Sequence, residues 1–233
     1  MKALKYKLRK WLISIGIDVY PYDHRNSVQS FLEYLIKHRE IKEVWDVGAN
    51  VGQYAKMLRM LGFKQKIISF EALPDAYEIL KDNAEADVNW TTHGPLVISE
   101  QRQKIEFFET DNSVSSSRLK PLSMDIVKHH VLPSKPLEDF LNNADSKTCR
   151  LLKLDVQGSE QSVLASCGSQ LQKFDYVQLE ASIRTSYENE IDYISIIRYM
   201  NERNYKLMFV YPGVADVNGN VIQVELFFSK NEI

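Results

Sequence analysis

Four carboxylates and two glycines carry the chemistry legible in this sequence. The run Asp46-Val47-Gly48-Ala49-Asn50-Val51-Gly52-Gln53 follows the apolar Val44-Trp45 and leads into Tyr54-Ala55-Lys56-Met57-Leu58. Glu71 stands nineteen residues after Gly52, at the end of a second apolar run, Ile67-Ile68-Ser69-Phe70. Glycine lets backbone approach a ligand with no Cβ in the way. An ionised carboxylate has two acceptor oxygens and can take both hydroxyls of a ribose. Strand, glycine turn, helix, strand and acid is the layout of a nucleoside pocket. Two more acids, Asp155 and Glu180, end the apolar runs Arg150-Leu151-Leu152-Lys153-Leu154 and Tyr176-Val177-Gln178-Leu179. Lys153 lies two residues before Asp155, on the same face of a strand. Taken singly, each acid also fits a helix cap or half of a structural ion pair.

The elements that must position these groups alternate from Glu43 onward. Strands are expected at 44–47, 66–70, somewhere within 88–99, and at 104–109, 150–155 and 176–180. Helices are expected from Gly52 to Leu61, from Pro74 through Leu80, from Ser159 to Cys167 with Gly168 as its stop, and over Ile191, Ile194, Ile197 and Met200. Two last strands, 206–211 and 221–228, read as an antiparallel hairpin around Pro212, Gly213, Asn218 and Gly219. Residues 110–135 read as a long loop with a helical turn near Ile126, either a lid or a surface excursion. The order implies a mostly parallel sheet covered by helices on both faces. Ligands of such sheets sit beyond the carboxyl ends of the strands, where Asp46, Glu71, Asp155 and Glu180 would converge.

Composition narrows the class. A length of 233 residues suits one large α/β domain. The net charge of −2 gives no global attraction to nucleic acid, and none is expected as a partner. Cys149 and Cys167 have no metal-ligand spacing, so a reducing compartment, the cytoplasm, is the default. Lys2, Lys5, Lys7, Arg9 and Lys10 crowd the first ten residues, while Leu4, Leu8, Trp11, Leu12 and Ile15 recur at helical spacing. This pattern fits an amphipathic helix in peripheral contact with an anionic membrane. It also fits a helix docked on the domain with its lysines in solvent, which is the preferred expectation. Ser27 is placed to cap a second helix through Phe31, Leu35 and Ile36.

Four motifs in order, Asp46 to Gln53, Ser69-Phe70-Glu71-Ala72-Leu73-Pro74, Leu152-Lys153-Leu154-Asp155-Val156-Gln157-Gly158-Ser159-Glu160 and Gln178-Leu179-Glu180, resemble the FkbM family of S-adenosylmethionine-dependent methyltransferases. The resemblance spans about residues 40 to 230. It implies the class I methyltransferase fold: a Rossmann-like, mostly parallel seven-stranded sheet with a C-terminal antiparallel strand. Residues 1–40 would be a helical extension and 41–233 the cofactor-binding domain. Two positions depart from the family pattern: Gln157 replaces a usual glutamate, and Ala72 a usual proline.

The resemblance further implies S-adenosyl-L-methionine as cofactor and O-methylation of a hydroxyl, with a sugar or glycan as the first-choice acceptor and a polyketide-like molecule as the alternative. Asp46, Gly48, Asn50, Gly52, Gln53, Tyr54, Glu71 and Ala72 would form the donor pocket, with Tyr54 near the methionine carboxylate. Gly94 and Leu96 would meet the adenine. Asp155 is the first choice for the base, Glu180 the second, and Lys153 would orient the carboxylate or the substrate. A carboxylate serves best here if desolvation raises its pKa. No metal ligand is assigned. A magnesium ion held by Asp155 and Glu180 with Glu160 or Gln157 is the competing account of the acids. Two rivals remain at this level. A nicotinamide oxidoreductase would want a third glycine; a binding module on the same fold would lack turnover.

Overall fold

The computed structural model describes residues 2–17, 19, 23–142, 144, 145 and 147–231. In chain order the elements are α1 (Lys2–Ser14), α2 (Val28–His38), β1 (Glu43–Val47), α3 (Gln53–Met60), β2 (Lys66–Phe70), α4 (Pro74–Ala84), β3 (Trp90–His93), β4 (Val97–Ile98), β5 (Lys104–Thr110), β6 (Ile126–Lys135), α5 (Glu138–Leu141), β7 (Arg150–Leu154), α6 (Glu160–Ser166), β8 (Tyr176–Ser182), α7 (Tyr193–Asn201), β9 (Tyr205–Pro212) and β10 (Gln223–Lys230).

Seven strands form the main sheet in the order β3-β2-β1-β7-β8-β10-β9. Strands β3, β2, β1, β7 and β8 run parallel, and β10 is antiparallel to both its neighbours. This is the mixed sheet that the sequence leads one to expect. Every residue of β1 and β7 is buried, as strands covered on both faces must be. One core packs Trp45, Phe70, Leu152 and Phe174 beneath α6 and α7. The other packs Val44, Ile67, Leu151 and Phe227 against α2, α3 and α4.

Ser27 caps α2, its hydroxyl oxygen accepting from the Ser30 amide at 3.0 Å. The helix then presents Phe31, Leu32 and Leu35 to the sheet, and Phe31 stacks on Phe209 at 4.3 Å between ring centroids. Burying each such side chain contributes about 2 kcal/mol. The expected boundary at residue 40 therefore cuts through a shared core. Preceding it, α1 stands otherwise: Leu8, Trp11 and Ile15 are more than half exposed, so the docked helix expected above is not what is seen.

The reading of residues 110–135 needs correction. Residues 126–135 form β6, which pairs antiparallel with β5 and holds β4 on its other edge, giving a separate three-stranded sheet. Pro133 obscured this strand; it pairs with Lys104 near one end of the ladder, where the next amide, that of Ser134, still donates to the Gln103 carbonyl at 2.7 Å. The expected strand within 88–99 is likewise two pieces, β3 in the main sheet and β4 in the small one. His129 and His130 alternate on β6; His130 pairs with Glu109 at 2.6 Å and His129 meets the Phe108 ring edge-on.

Candidate functional site

At the carboxyl ends of β1 and β7 two turns touch. Gly48 has φ +83°, and a Cβ there would lie 1.9 Å from the backbone oxygen of Asp155, so only glycine fits. Asn50 follows in the left-handed region at φ +47°, which turns its backbone N–H toward Glu71. That amide donates to Glu71 Oε2 at 2.7 Å, and the Leu73 amide donates to Oε1 at 2.7 Å. Burial pushes the Glu71 pKa up, against the pull of the Leu73 and Asn50 amides. Each Glu71 oxygen still has a second lone pair for a ligand hydroxyl. Gly52, at φ +88°, begins α3 against the Trp90 indole, where a Cβ would come within 2.6 Å.

On the other side of the turn lies a buried charge cluster. Lys153 Nζ sits 3.3 Å from Asp46 Oδ1, 3.3 Å from Asp155 Oδ2 and 5.2 Å from the centre of the Tyr54 ring. Asp46 is fully buried, and neither of its oxygens accepts a hydrogen bond among the described residues. Its pKa is raised by that burial, with Lys153 opposing. Burial disfavours the Lys153 ammonium too, but Asp155 and Asp46 outweigh it and hold its pKa above the usual lysine value. Lys153 is thus the main electrostatic support of Asp46, with the Ser69 side chain adding to it.

Next to it, Gln157 joins two acids. Its Nε2 donates to Asp155 Oδ1 at 2.7 Å and to Glu180 Oε2 at 3.2 Å. Its Oε1 accepts from the Tyr187 hydroxyl at 3.0 Å, which fixes the amide orientation. Gln223 Nε2 also donates to Glu180 Oε2, at 3.2 Å. Glu180 and Glu225 are direct partners in the β8–β10 register, and like charges so placed repel. Burial first, then the Asp155 and Glu225 carboxylates, pushes Glu180 up to about 7, and burial, opposed by Lys153, pushes Glu225 up to about 7. Glu225 Oε1 accepts from Gln178 at 3.4 Å, and its buried Oε2 has no hydrogen-bond partner among the described residues. The Tyr54 hydroxyl completes this row by donating to Gln178 Oε1 at 2.5 Å. Behind them Glu160, accepting from the Val156 amide, is pushed up to about 8 by burial.

A cavity of about 710 Å³ joins the two clusters. Gly48, Asn50, Gln53, Tyr54, Glu71, Ala72, Leu96, Lys153, Asp155 and Glu180 line it. The expected site residues Asp46, Gly52 and Gly94 lie behind its wall. Gly94 packs instead against the Glu71 carbonyl and the Tyr77 ring. The cavity continues to Val28 and Gln29 of α2, Ser113 and Val114, and Tyr211 to Val214 at the end of β9. The loop at 111–125 is tied to this site rather than free: the Ser117 hydroxyl donates to the Gln157 carbonyl at 2.7 Å, and the Leu122 amide to the Ser186 carbonyl at 2.9 Å.

Gln178, Gln223, Glu225 and Tyr187 escaped sequence reasoning. The signal that could have found three of them is alternation. Gln178 and Glu180 share one face of an otherwise apolar strand, as do Gln223 and Glu225. The magnesium alternative does not fit the residues present. Where a cation would have to sit between Asp155 and Glu180, the Gln157 amide already donates to both. Among the described residues no group of three or more His, Cys, Asp or Glu side chains is arranged to hold a metal ion.

Comparison with known proteins agrees with this geometry. A sequence profile described as the methyltransferase FkbM domain matches residues 46–207. The 2-O-methyltransferase NoeI of Sinorhizobium fredii is 24% identical over 202 residues, covering 77% of each chain. Among solved structures, M. capricolum TrmK bound to S-adenosyl-homocysteine superposes with a TM-score of 0.50 at 11% identity, over 90% of this chain and 70% of that one. An rRNA methylase from Streptococcus thermophilus gives 0.49 at 9% identity, over 92% and 100%.

Proposed function

We propose that this chain, which belongs to the FkbM family of S-adenosylmethionine-dependent methyltransferases, methylates a hydroxyl of a sugar or glycan. The observation that carries this reading is one cavity with the Glu71 carboxylate, able to accept two hydroxyls, at one end and a row of acids and amides at the other. Side-chain amides and carboxylates alternating around a basin suit a ligand dense in hydroxyls, since each such group can both orient and discriminate. The name of the relative NoeI, a 2-O-methyltransferase, supports oxygen as the accepting atom.

S-adenosylmethionine, when bound, supplies a methyl group activated on a sulfonium. The residues fit such a donor: Glu71 would accept the ribose hydroxyls, the Gly48–Asn50 turn would lie along the amino-acid portion, and Ala72 and Leu96 would flank the base. Transfer of that methyl to an acceptor hydroxyl would release the hydroxyl proton, which a side chain of this site would have to take. Glu180 is the proton acceptor in this proposal. Burial already makes it reluctant to ionise, with a pKa of about 7, which matches a general base to neutral operation. Asp155 is less suited, because Lys153 and Gln157 engage its two oxygens; it positions the acceptor instead. No enzyme nucleophile is needed; holding two reactants in line supplies much of the acceleration.

The test uses calorimetry followed by turnover. S-adenosylhomocysteine should bind and NAD should not. Methyl transfer from labelled donor should then appear on members of a sugar panel. Glu180→Gln should lower kcat by about 100-fold or more while S-adenosylhomocysteine affinity stays within about twofold. Transfer to a polyketide-like acceptor alone would replace the sugar reading, and tight donor binding without any product would favour a binding module.

A further inference from the structure

The charge of this chain is concentrated at one end. Residues 1–17 hold five lysines and arginines and no acid. Subtracting those five from the net charge of −2 leaves −7 for the remaining residues. The rest of the protein carries a net negative charge, so the concentrated run of positive charge lies on α1.

Four apolar side chains in and just past that helix share one face, while Tyr6 and Ile13 lie on the other. Leu8, Trp11, Leu12 and Ile15 follow one another at intervals of three and four, while Lys7 and Lys10 fall outside that spacing. Leu8 is 54% exposed, Trp11 59% and Ile15 55%. These are large side chains to leave in water next to a domain with two well-filled cores. No described helix is long and apolar enough to cross a membrane. A short stripe flanked by cations on long flexible stems suits the boundary between lipid headgroups and acyl chains.

We infer that α1 lies in the plane of an anionic lipid bilayer, with Leu8, Trp11, Leu12 and Ile15 inserted and Lys7 and Lys10 on the phosphate side. This goes beyond the methyl-transfer reading and would bring the active domain to a membrane surface.

Trp11 is a built-in reporter, because Trp45 and Trp90 are buried. The full-length protein is mixed with vesicles of phosphatidylcholine alone or with added phosphatidylserine. The expected result is co-sedimentation and a blue shift of tryptophan emission with the anionic vesicles, reversed by added salt, and neither effect with phosphatidylcholine alone. Lys7→Gln combined with Lys10→Gln should weaken binding about 25-fold, about fivefold for each charge. S-adenosylhomocysteine affinity should be unchanged in that variant, which verifies its fold. Failure to sediment with anionic vesicles overturns the proposal. So does equal binding to both vesicle types, or a lipid-free dimer whose Trp11 emission is already blue-shifted, since a second copy would then cover the stripe.

Discussion

The two ends of the cavity are built on opposite plans. At the glycine turn each polar group has a fixed partner: both Glu71 oxygens accept backbone amides, and Gly48 is wedged against the Asp155 carbonyl. At the far end, acids outnumber their partners. Lys153 serves both Asp46 and Asp155, Glu180 faces Glu225 across two strands, and Glu225 Oε2 accepts nothing among the described residues. A turn held by its own backbone is rigid and ready for one ligand shape. A basin with unsatisfied carboxylates is stabilised by whatever hydroxyls enter it, because a buried polar group left unpaired costs about 1–3 kcal/mol.

The contrast breaks most visibly at Gly48. Gly48→Ala should destabilise the fold by about 3 kcal/mol or more. The left-handed backbone costs about 1–2 kcal/mol for a residue with a Cβ, and overpacking against the Asp155 carbonyl adds about 1–3 kcal/mol. The melting temperature should fall by roughly 10 °C. Gly62 is the control: its φ is +88°, but a Cβ there meets nothing within 4 Å, so Gly62→Ala should cost only about 1–2 kcal/mol. Equal effects in urea titrations would mean that the turn is not wedged.

A second test sharpens the picture of the acidic end. Glu180 and Glu225 are raised from 4.5 to about 7, and Glu160 from 4.5 to about 8, by burial in each case. The folded state therefore holds protons that the unfolded chain has released. Stability from this source is complete below pH 4.5 and lost as pH rises through 7 to 8. A fully expressed slope is about 1.4 kcal/mol per pH unit for each proton. The three acids interact and two are only half buried, so a total loss on the order of 2–4 kcal/mol between pH 5 and 8 is expected. Urea midpoints across that range measure it. Glu160→Gln should flatten the upper part of the curve, and a stability that rises over the whole range would contradict the protonated basin.

The same contrast explains what could be read from sequence. Gly48 and Gly52 lie between β1 and α3, and Glu71 directly follows β2, so their spacing alone announces a strand–turn–helix–strand unit. Lys153, Asp155 and Glu180 were visible as ends of apolar runs. By contrast, Glu225 reaches the site only because β10 inserts between β8 and β9, and Gln178 meets Tyr54 across 124 residues. Chain-distant pairings of this kind depend on sheet order, which local periodicity does not encode. The small sheet was missed for a related reason. Residues 126–135 alternate weakly and contain a proline, and they become a strand only because β5 is there to pair with them.

Tyr54 decides to which end the first turn of α3 belongs, and the expected effect is the smallest. By position it opens the helix after the glycine turn, where a contact with the methionine carboxylate of the donor was expected. In the fold its hydroxyl donates to Gln178 Oε1 at 2.5 Å, and Gln178 in turn donates to Glu225. Its ring meanwhile covers the Lys153 ammonium. Tyr54→Phe keeps the ring and removes only the hydroxyl. The loss should be about 1 kcal/mol of stability, the worth of one hydrogen bond. S-adenosylhomocysteine affinity should stay within about twofold, whereas acceptor KM should rise about three- to tenfold as Gln178 and Glu225 lose their alignment. The opposite split, weaker donor binding with an unchanged acceptor KM, would move Tyr54 to the donor end and shift the boundary between the two halves by one turn of helix.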